Sequence, residues 1–161
     1  MDAEIEMYLA AVEDGCEAVL RGLDGLGAEA IHWKPVPAAN SLAASAKHSL
    51  ANAERNVLMT FAGEAYEWRR ELEFVADDES AESLRQSWAK LQPRMRASLE
   101  SIPESRLTVT LRHPRLGEVP GRAVLLQAAR HVAEHAGEAA LTRGLIIART
   151  GRPGDLSRRA A

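Results

Sequence analysis

The sequence predicts an all-α fold, a four-helix bundle with a small β-hairpin between the third and fourth helices. Four segments place apolar residues three and four positions apart, which is the spacing of amphipathic helices. Aromatic residues make up only 4% of the chain, whereas the helix formers Ala, Leu, Glu and Arg are abundant. The 161 residues suit one domain, predicted for 1–150, followed by a basic tail over 151–161.

The first two helices are bounded by glycines and by capping residues. Apolar residues recur through residues 3–26, and a pair of glycines ends this first helix before a Trp-Lys-Pro segment. The second helix begins after Asn40 or Ser41, since either side chain can accept a hydrogen bond from a free amide of the first turn. It is predicted to run to about Phe61, with Gly63 as the stop.

The connection after the second helix is long and has no helical period. Such a connection in a small bundle favours a crossover along the bundle, with the second and third helices parallel. The third helix has N-cap candidates between Asp78 and Ser80 and extends to about Ile102. Pro93 lies inside it and is expected to kink the helix or end it early.

The remaining segments predict the hairpin and the last helix. Residues 107–111 alternate between polar and apolar, and a Pro-containing turn separates them from residues 117–119. The last helix covers about residues 122–148.

Composition excludes several kinds of partner. A net charge of −3 and a pI near 6.0 provide no positive field for nucleic acid. No apolar run reaches the ~20 residues of a membrane span, and the acidic N-terminus is unlike a secretion signal. We therefore expect a cytoplasmic protein without a membrane partner. The single cysteine, Cys16, excludes an internal disulfide and has the helical spacing of a core residue.

His131 and His135 form the first candidate metal-binding pair. They lie four residues apart on the last predicted helix, so their imidazoles project from one face about a turn apart. The same stripe continues through Val124, Ala128 and Ile146, which places the pair on the inward side of the helix. Two ligands to one metal are feasible there, although the pair alone is equally consistent with ordinary histidines.

A third ligand would come from His32, His48 or His113. His48 is favoured because it lies midway along a helix, whereas His32 precedes a turn and His113 lies at the predicted hairpin tip. The latter two positions are typical of surface residues. His48 lies opposite the apolar stripe of its own helix, among small polar residues. That face either lines a cavity in the bundle or is exposed, and the spacing by itself favours exposure.

Three stretches of the chain together resemble the DinB-like family, which includes bacterial thiol transferases that use bacillithiol or mycothiol. The stretches are WKP at 33–35 with NSL at 40–42, HSLANAERNVL at 48–58, and HVAEHAG at 131–137 with LTR at 141–143. The resemblance implies a four-helix bundle with a three-histidine metal site, here His48, His131 and His135. Ser41 and His48 have the seven-residue spacing of that motif.

The implied site has the chemistry of an open metal centre. Three neutral imidazoles leave a bound divalent ion with its full charge and with positions for water or substrate. Zinc or nickel is expected first, with iron or manganese as alternatives, because imidazole binds several of these metals. Such an ion can lower the pKa of bound water or hold a thiol as its thiolate.

Three functions remain open at this stage. The resemblance implies a thiol S-transferase that joins a small cellular thiol to an electrophilic small molecule. A metal-dependent hydrolase is the second function, with Glu138, one turn beyond His135, relaying protons. The third is a non-catalytic, dimeric metal-binding or stress-related protein. A homodimer is also expected because the second helix needs burial on two sides.

Overall fold

The computed structural model describes residues 1–65 and 69–150, and the predicted basic tail lies outside these residues. In chain order the elements are α1 (Ala3–Arg21), α2 (Ala28–His32), α3 (Leu42–Glu54), α4 (Ala81–Glu100), β1 (Thr110–His113), β2 (Gly117–Pro120) and α5 (Gly121–Thr150). A π-helix, Arg55–Ala62, continues α3, and short 3-10 helices cover Arg70–Leu72 and Glu104–Leu107. The helical bundle with one antiparallel hairpin is confirmed. Within the described ranges, no helix combines the length and apolarity of a membrane span.

Ion pairs between helices show that α3 and α4 run parallel. Near the middle of α3, Lys47 Nζ lies 3.0 Å from Oε1 of Glu79, two residues before α4 begins. At the end of α3, Glu54 Oε1 lies 2.7 Å from Nη1 of Arg94, well along α4. The contact positions on α3 and on α4 therefore advance in the same direction, and the start of α4 lies back toward the middle of α3 instead of beside its end. The predicted crossover is confirmed.

A glycine contact brings α1 close to α5. A Cβ atom on Gly15 would lie 2.3 Å from Cγ2 of Val132, so only glycine permits this approach of the two helices. Val132 is fully buried as a result. Because His131 is its neighbour on α5, the same packing holds the start of the histidine pair inside the bundle.

Both faces of α3 are buried within one chain. Ser41 caps the helix by accepting a hydrogen bond from the amide of Ala44 (3.2 Å), as predicted. The apolar stripe of the helix and its polar face, including Ser49 and Asn52, are each no more than 6% exposed. The exposure that spacing by itself favoured for His48 is therefore wrong. This internal burial also removes the reason given above for a homodimer.

The ends of two helices test the predicted stops. Gly63 ends the π-helix with a left-handed backbone (φ 85°), which confirms it as the stop of the second predicted helix. The first helix ends at Arg21, several residues before the predicted limit, and Gly25 follows in a turn with φ 68°. The apolar pattern over residues 3–26 therefore extends past the end of the helix and into the turn that follows it.

Two further boundaries correct the predictions. α4 continues through Pro93 to Glu100, so the early end is wrong. Pro93 has no amide hydrogen to donate to the carbonyl of Ala89, four residues earlier in the helix. Both residues lie on the exposed face of α4, where solvent can replace the missing donor. The first strand begins at Thr110, later than predicted, because the preceding 3-10 helix buries Leu107 instead.

Candidate metal centre

Three histidine side chains from two helices converge inside the bundle. α3 supplies His48, and α5 supplies His131 and His135 one turn apart. One ring nitrogen from each histidine lies within 4.8 Å of the other two. His48 and His131 are 6% and 8% exposed, and His135 is half-buried. The structure thus brings together the three residues that the sequence and the resemblance indicated.

The Nε2 atoms of His48 and His131 face each other at 2.9 Å. The outer nitrogen of His48, Nδ1, lies 2.9 Å from Oε2 of Glu73, and an ionised carboxylate can only accept a hydrogen bond. In a neutral His48 ring this contact places the proton on Nδ1 and leaves the lone pair on Nε2. His131 then donates to that lone pair from its own Nε2, and a metal ion bound by both rings would take the place of this proton.

His135 is oriented by a different carboxylate. Its Nδ1 donates to Oε2 of Glu138 at 2.7 Å, which leaves Nε2 directed toward the other two rings. The Glu138 side chain is 62% exposed, so water competes for its oxygens. Glu138 contacts the outer edge of His135, and its predicted role as a proton relay remains a prediction.

Burial keeps the central histidine neutral. Desolvation, reinforced by the neighbouring His135 and His48 rings and by Arg55 and Arg115, lowers the pKa of His131 to about 3. A neutral imidazole has the lone pair that a metal ligand requires. His131 therefore has no charge to lose at neutral pH, and its Nε2 needs only to give up the proton that it donates to His48 before it binds a metal.

The donor set fits a divalent transition metal. Imidazole nitrogens suit zinc, nickel, iron and copper, and the three histidines bring no charge to offset that of the ion. Two tetrahedral zinc ligands at ~2.0–2.1 Å from the ion would lie about 3.3 Å apart. The observed Nε2 separation of 2.9 Å is close to that value, so small side-chain movements would admit the ion.

The other two candidate histidines lie outside the cluster. His113 is only 2% exposed, which corrects its assignment as a surface residue. It donates from Nε2 to Oδ1 of Asn56 (2.7 Å), while Nδ1 accepts from the amides of Arg115 and Leu116 in the hairpin turn. His113 therefore joins the hairpin to the π-helix. His32 is half-buried and donates from Nε2 to the carbonyl of residue 79 (3.0 Å).

A family model described as mycothiol-S-transferase matches residues 7–148, most of the chain and all three clustered histidines. The chain belongs to the mycothiol-S-transferase family. Membership also confirms the resemblance drawn from the three sequence stretches.

Two solved structures share the fold of this mycothiol-S-transferase family member. A conserved protein from Enterococcus faecalis is 18% identical with a TM-score of 0.71, and the match covers 92% of this chain and 99% of that one. A DinB-like protein from Bacillus cereus is 18% identical with a TM-score of 0.67, covering 91% of this chain and 92% of that one. At such identities the likeness shows the fold alone. A search of curated proteins found no match.

Sequence reasoning missed the buried Glu73 beside this candidate metal site. It lies in the aperiodic connection before α4, where neither spacing nor a motif marks it. A signal did exist in Arg55, seven residues after His48 and thus on the same helical face. An arginine on a buried face requires an acidic partner, and Glu73 accepts from its Nη1 at 2.8 Å.

Proposed function

We propose that this chain is a metal-dependent thiol S-transferase that joins mycothiol or a similar small thiol to an electrophilic small molecule. The observation that carries the proposal is the convergence of three buried or half-buried histidines, His48, His131 and His135. The family to which the chain belongs is named for transfer of mycothiol, which supports this choice of thiol.

The reacting sulfur must come from the cosubstrate. Cys16 is fully buried in the core, and desolvation together with Glu13 and Glu17 raises the pKa of its thiol to about 12. A thiol in that environment is neither ionised nor accessible at neutral pH. This burial confirms Cys16 as a core residue and leaves the protein without a thiol nucleophile of its own.

In the transfer, the cosubstrate thiol loses its proton to solvent and its sulfur forms a bond to the electrophilic carbon. The bond from that carbon to the leaving group breaks, and both of its electrons remain with the leaving group. A divalent ion held by three neutral imidazoles would favour the thiolate over the thiol at neutral pH.

The protein's own residues hold the site and limit access to it. The Nε2 atoms of His48 and His131 already face each other, one with a lone pair and the other with an exchangeable proton. The two rings therefore need little rearrangement to bind a metal ion. Phe74 stacks on the His48 ring with centroids 4.2 Å apart, and it is 38% exposed. Its free surface gives the site an apolar edge at which part of an electrophile can displace water.

The test is a panel of nucleophiles with one activated aryl halide. The zinc-loaded protein is mixed with mycothiol, bacillithiol, glutathione or no thiol, and the thioether is measured by mass spectrometry. We expect thioether formation that requires both zinc and His131, and that is lost in His131→Ala. Glu134→Gln is the matched control, because Glu134 lies beside His135 in sequence but its side chain is 58% exposed and pairs with Arg130.

Other outcomes would overturn the proposal. Metal-dependent hydrolysis of an amide or ester without any thiol would support the hydrolase, for which Glu138 is the predicted relay. Absence of turnover with every thiol, in protein shown to contain metal, would support the non-catalytic function.

A further inference from the structure

We propose that Glu73 is a positioning residue for the metal centre and that it fixes the tautomer of His48. The inference rests on the proposed metal site, and it does not depend on which reaction that site performs. Its basis is the buried hydrogen bond from His48 Nδ1 to Glu73 Oε2, at 2.9 Å with both side chains less than 8% exposed.

The hydrogen bond selects one of the two neutral forms of the ring. Histidine can carry its single proton on either nitrogen, and only the unprotonated nitrogen can bind a metal. A carboxylate beside Nδ1 stabilises the form with the proton there, which leaves the lone pair on Nε2. That atom faces His131 across 2.9 Å, so the selected form is the one that the site needs.

Arg55 holds the carboxylate itself in place. Its Nη1 donates to Oε1 of Glu73, the oxygen that His48 does not use. His48 and Arg55 lie seven residues apart on one helical face, so side chains of a single helical segment contact both carboxylate oxygens of Glu73. The segment that carries Glu73 is thereby tied to the same rigid helix as the metal ligand.

The residue after Glu73 fixes the plane of the same ring. Phe74 stacks on His48 at an interplanar angle of 21°, and this contact opposes rotation of the imidazole ring about the Cβ–Cγ bond. Glu73 and Phe74 together determine where the proton of His48 lies and how its ring is turned.

The carboxylate on His135 provides an internal comparison. Glu138 makes the same kind of bond to Nδ1 of its histidine, at 2.7 Å, but its side chain is 62% exposed, against 3% for Glu73. Solvent weakens an exposed hydrogen bond and can substitute for it when it is lost. Loss of Glu73 should therefore harm metal binding more than loss of Glu138.

The experiment measures zinc affinity by competition with a chelator. Removal of such a supporting carboxylate weakens metal binding by ~10–100-fold, and we expect that range for Glu73→Gln. The loss for Glu138→Gln should be smaller, and Glu134→Gln should bind zinc as the wild type does. Glu73→Gln retains an oxygen that can accept from His48, so Glu73→Ala should lose more. Circular dichroism verifies that each variant is folded.

A second measurement needs no variant. Long-range ¹H–¹⁵N NMR of the metal-free wild type should show His48 with its proton on Nδ1, and the opposite tautomer would overturn the inference. Zinc affinity unchanged in folded Glu73→Gln, or reduced equally in Glu73→Gln and Glu138→Gln, would overturn it too. Absence of thiol transfer in a protein that shows the expected zinc affinities would refute only the proposed function.

Discussion

Replacing Arg55 with methionine should strongly destabilise the metal-free protein. Arg55 is 2% exposed and Glu73 is 4% exposed, and the pair meets at 2.8 Å. Methionine retains much of the packing of the arginine stem, so the main change is the loss of a positive charge. Removing one partner of a buried ion pair costs about 3–5 kcal/mol, because the desolvation of the remaining charge is no longer offset by that pair.

This loss is large relative to the stability of an ordinary domain, which is about 5–15 kcal/mol. For a protein of this length it corresponds to a fall of about 6–20 °C in melting temperature. The assay is urea unfolding of metal-free protein followed by circular dichroism, with the unfolding free energy extrapolated to zero urea.

A double variant separates the buried charge from lost packing. Arg55→Met with Glu73→Gln removes the carboxylate charge together with the guanidinium charge but keeps an acceptor for His48. It should therefore be more stable than Arg55→Met alone, by at least about 1 kcal/mol. A cost below about 1 kcal/mol for Arg55→Met, or a double variant less stable than the single one, would refute the reasoning.

Four other predictions concern the metal site, the pH dependence, the packing and the assembly. Substituting His48, His131 or His135 by Ala should remove most bound zinc by elemental analysis while helicity persists, and unchanged zinc in His48→Ala would exclude it from the site. The pKa of His131 is lowered from 6.5 to about 3 on folding, so the unfolded chain binds the extra proton between these values. The contribution of His131 to the unfolding free energy of the metal-free protein should thus be complete above about pH 6.5 and should fall as the pH drops, by up to about 1.4 kcal/mol per pH unit. An unfolding free energy, measured with urea, that stays constant from about pH 7 to about pH 5 would contradict this. Gly15→Ala should lower the unfolding free energy by about 1–3 kcal/mol because its Cβ meets Val132, whereas Gly137→Ala, with nothing within 4 Å, should not lower it. Leu141 and Leu145 are 68% and 43% exposed on α5, and a homodimer that covers them should sediment at about 35 kDa. The Leu141→Glu variant should sediment at 17.5 kDa, and a wild-type mass of 17.5 kDa at micromolar concentration would argue against the dimer.

The sequence by itself determined the helices and several of their ends. Helical spacing, the Ser41 cap and the Gly63 stop depend on interactions within a few residues, so they could be predicted without a partner segment. The spacing of His131 and His135 placed both imidazoles on one face for the same reason. His48 was favoured as the third ligand because it lies midway along a helix, and the family resemblance strengthened that choice although the periodicity of its own helix indicated exposure.

Only the tertiary structure decided which buried polar groups meet. α3 is buried on both faces because α4 runs parallel to it on one side and α5 packs on the other, and no periodicity within α3 contains that information. Glu73 and His113 were missed because their partners, Arg55 and Asn56, are 18 and 57 residues distant. A polar residue in a loop shows no sign of burial in its local sequence. Its desolvation is offset by hydrogen bonds that exist only after distant segments have packed together.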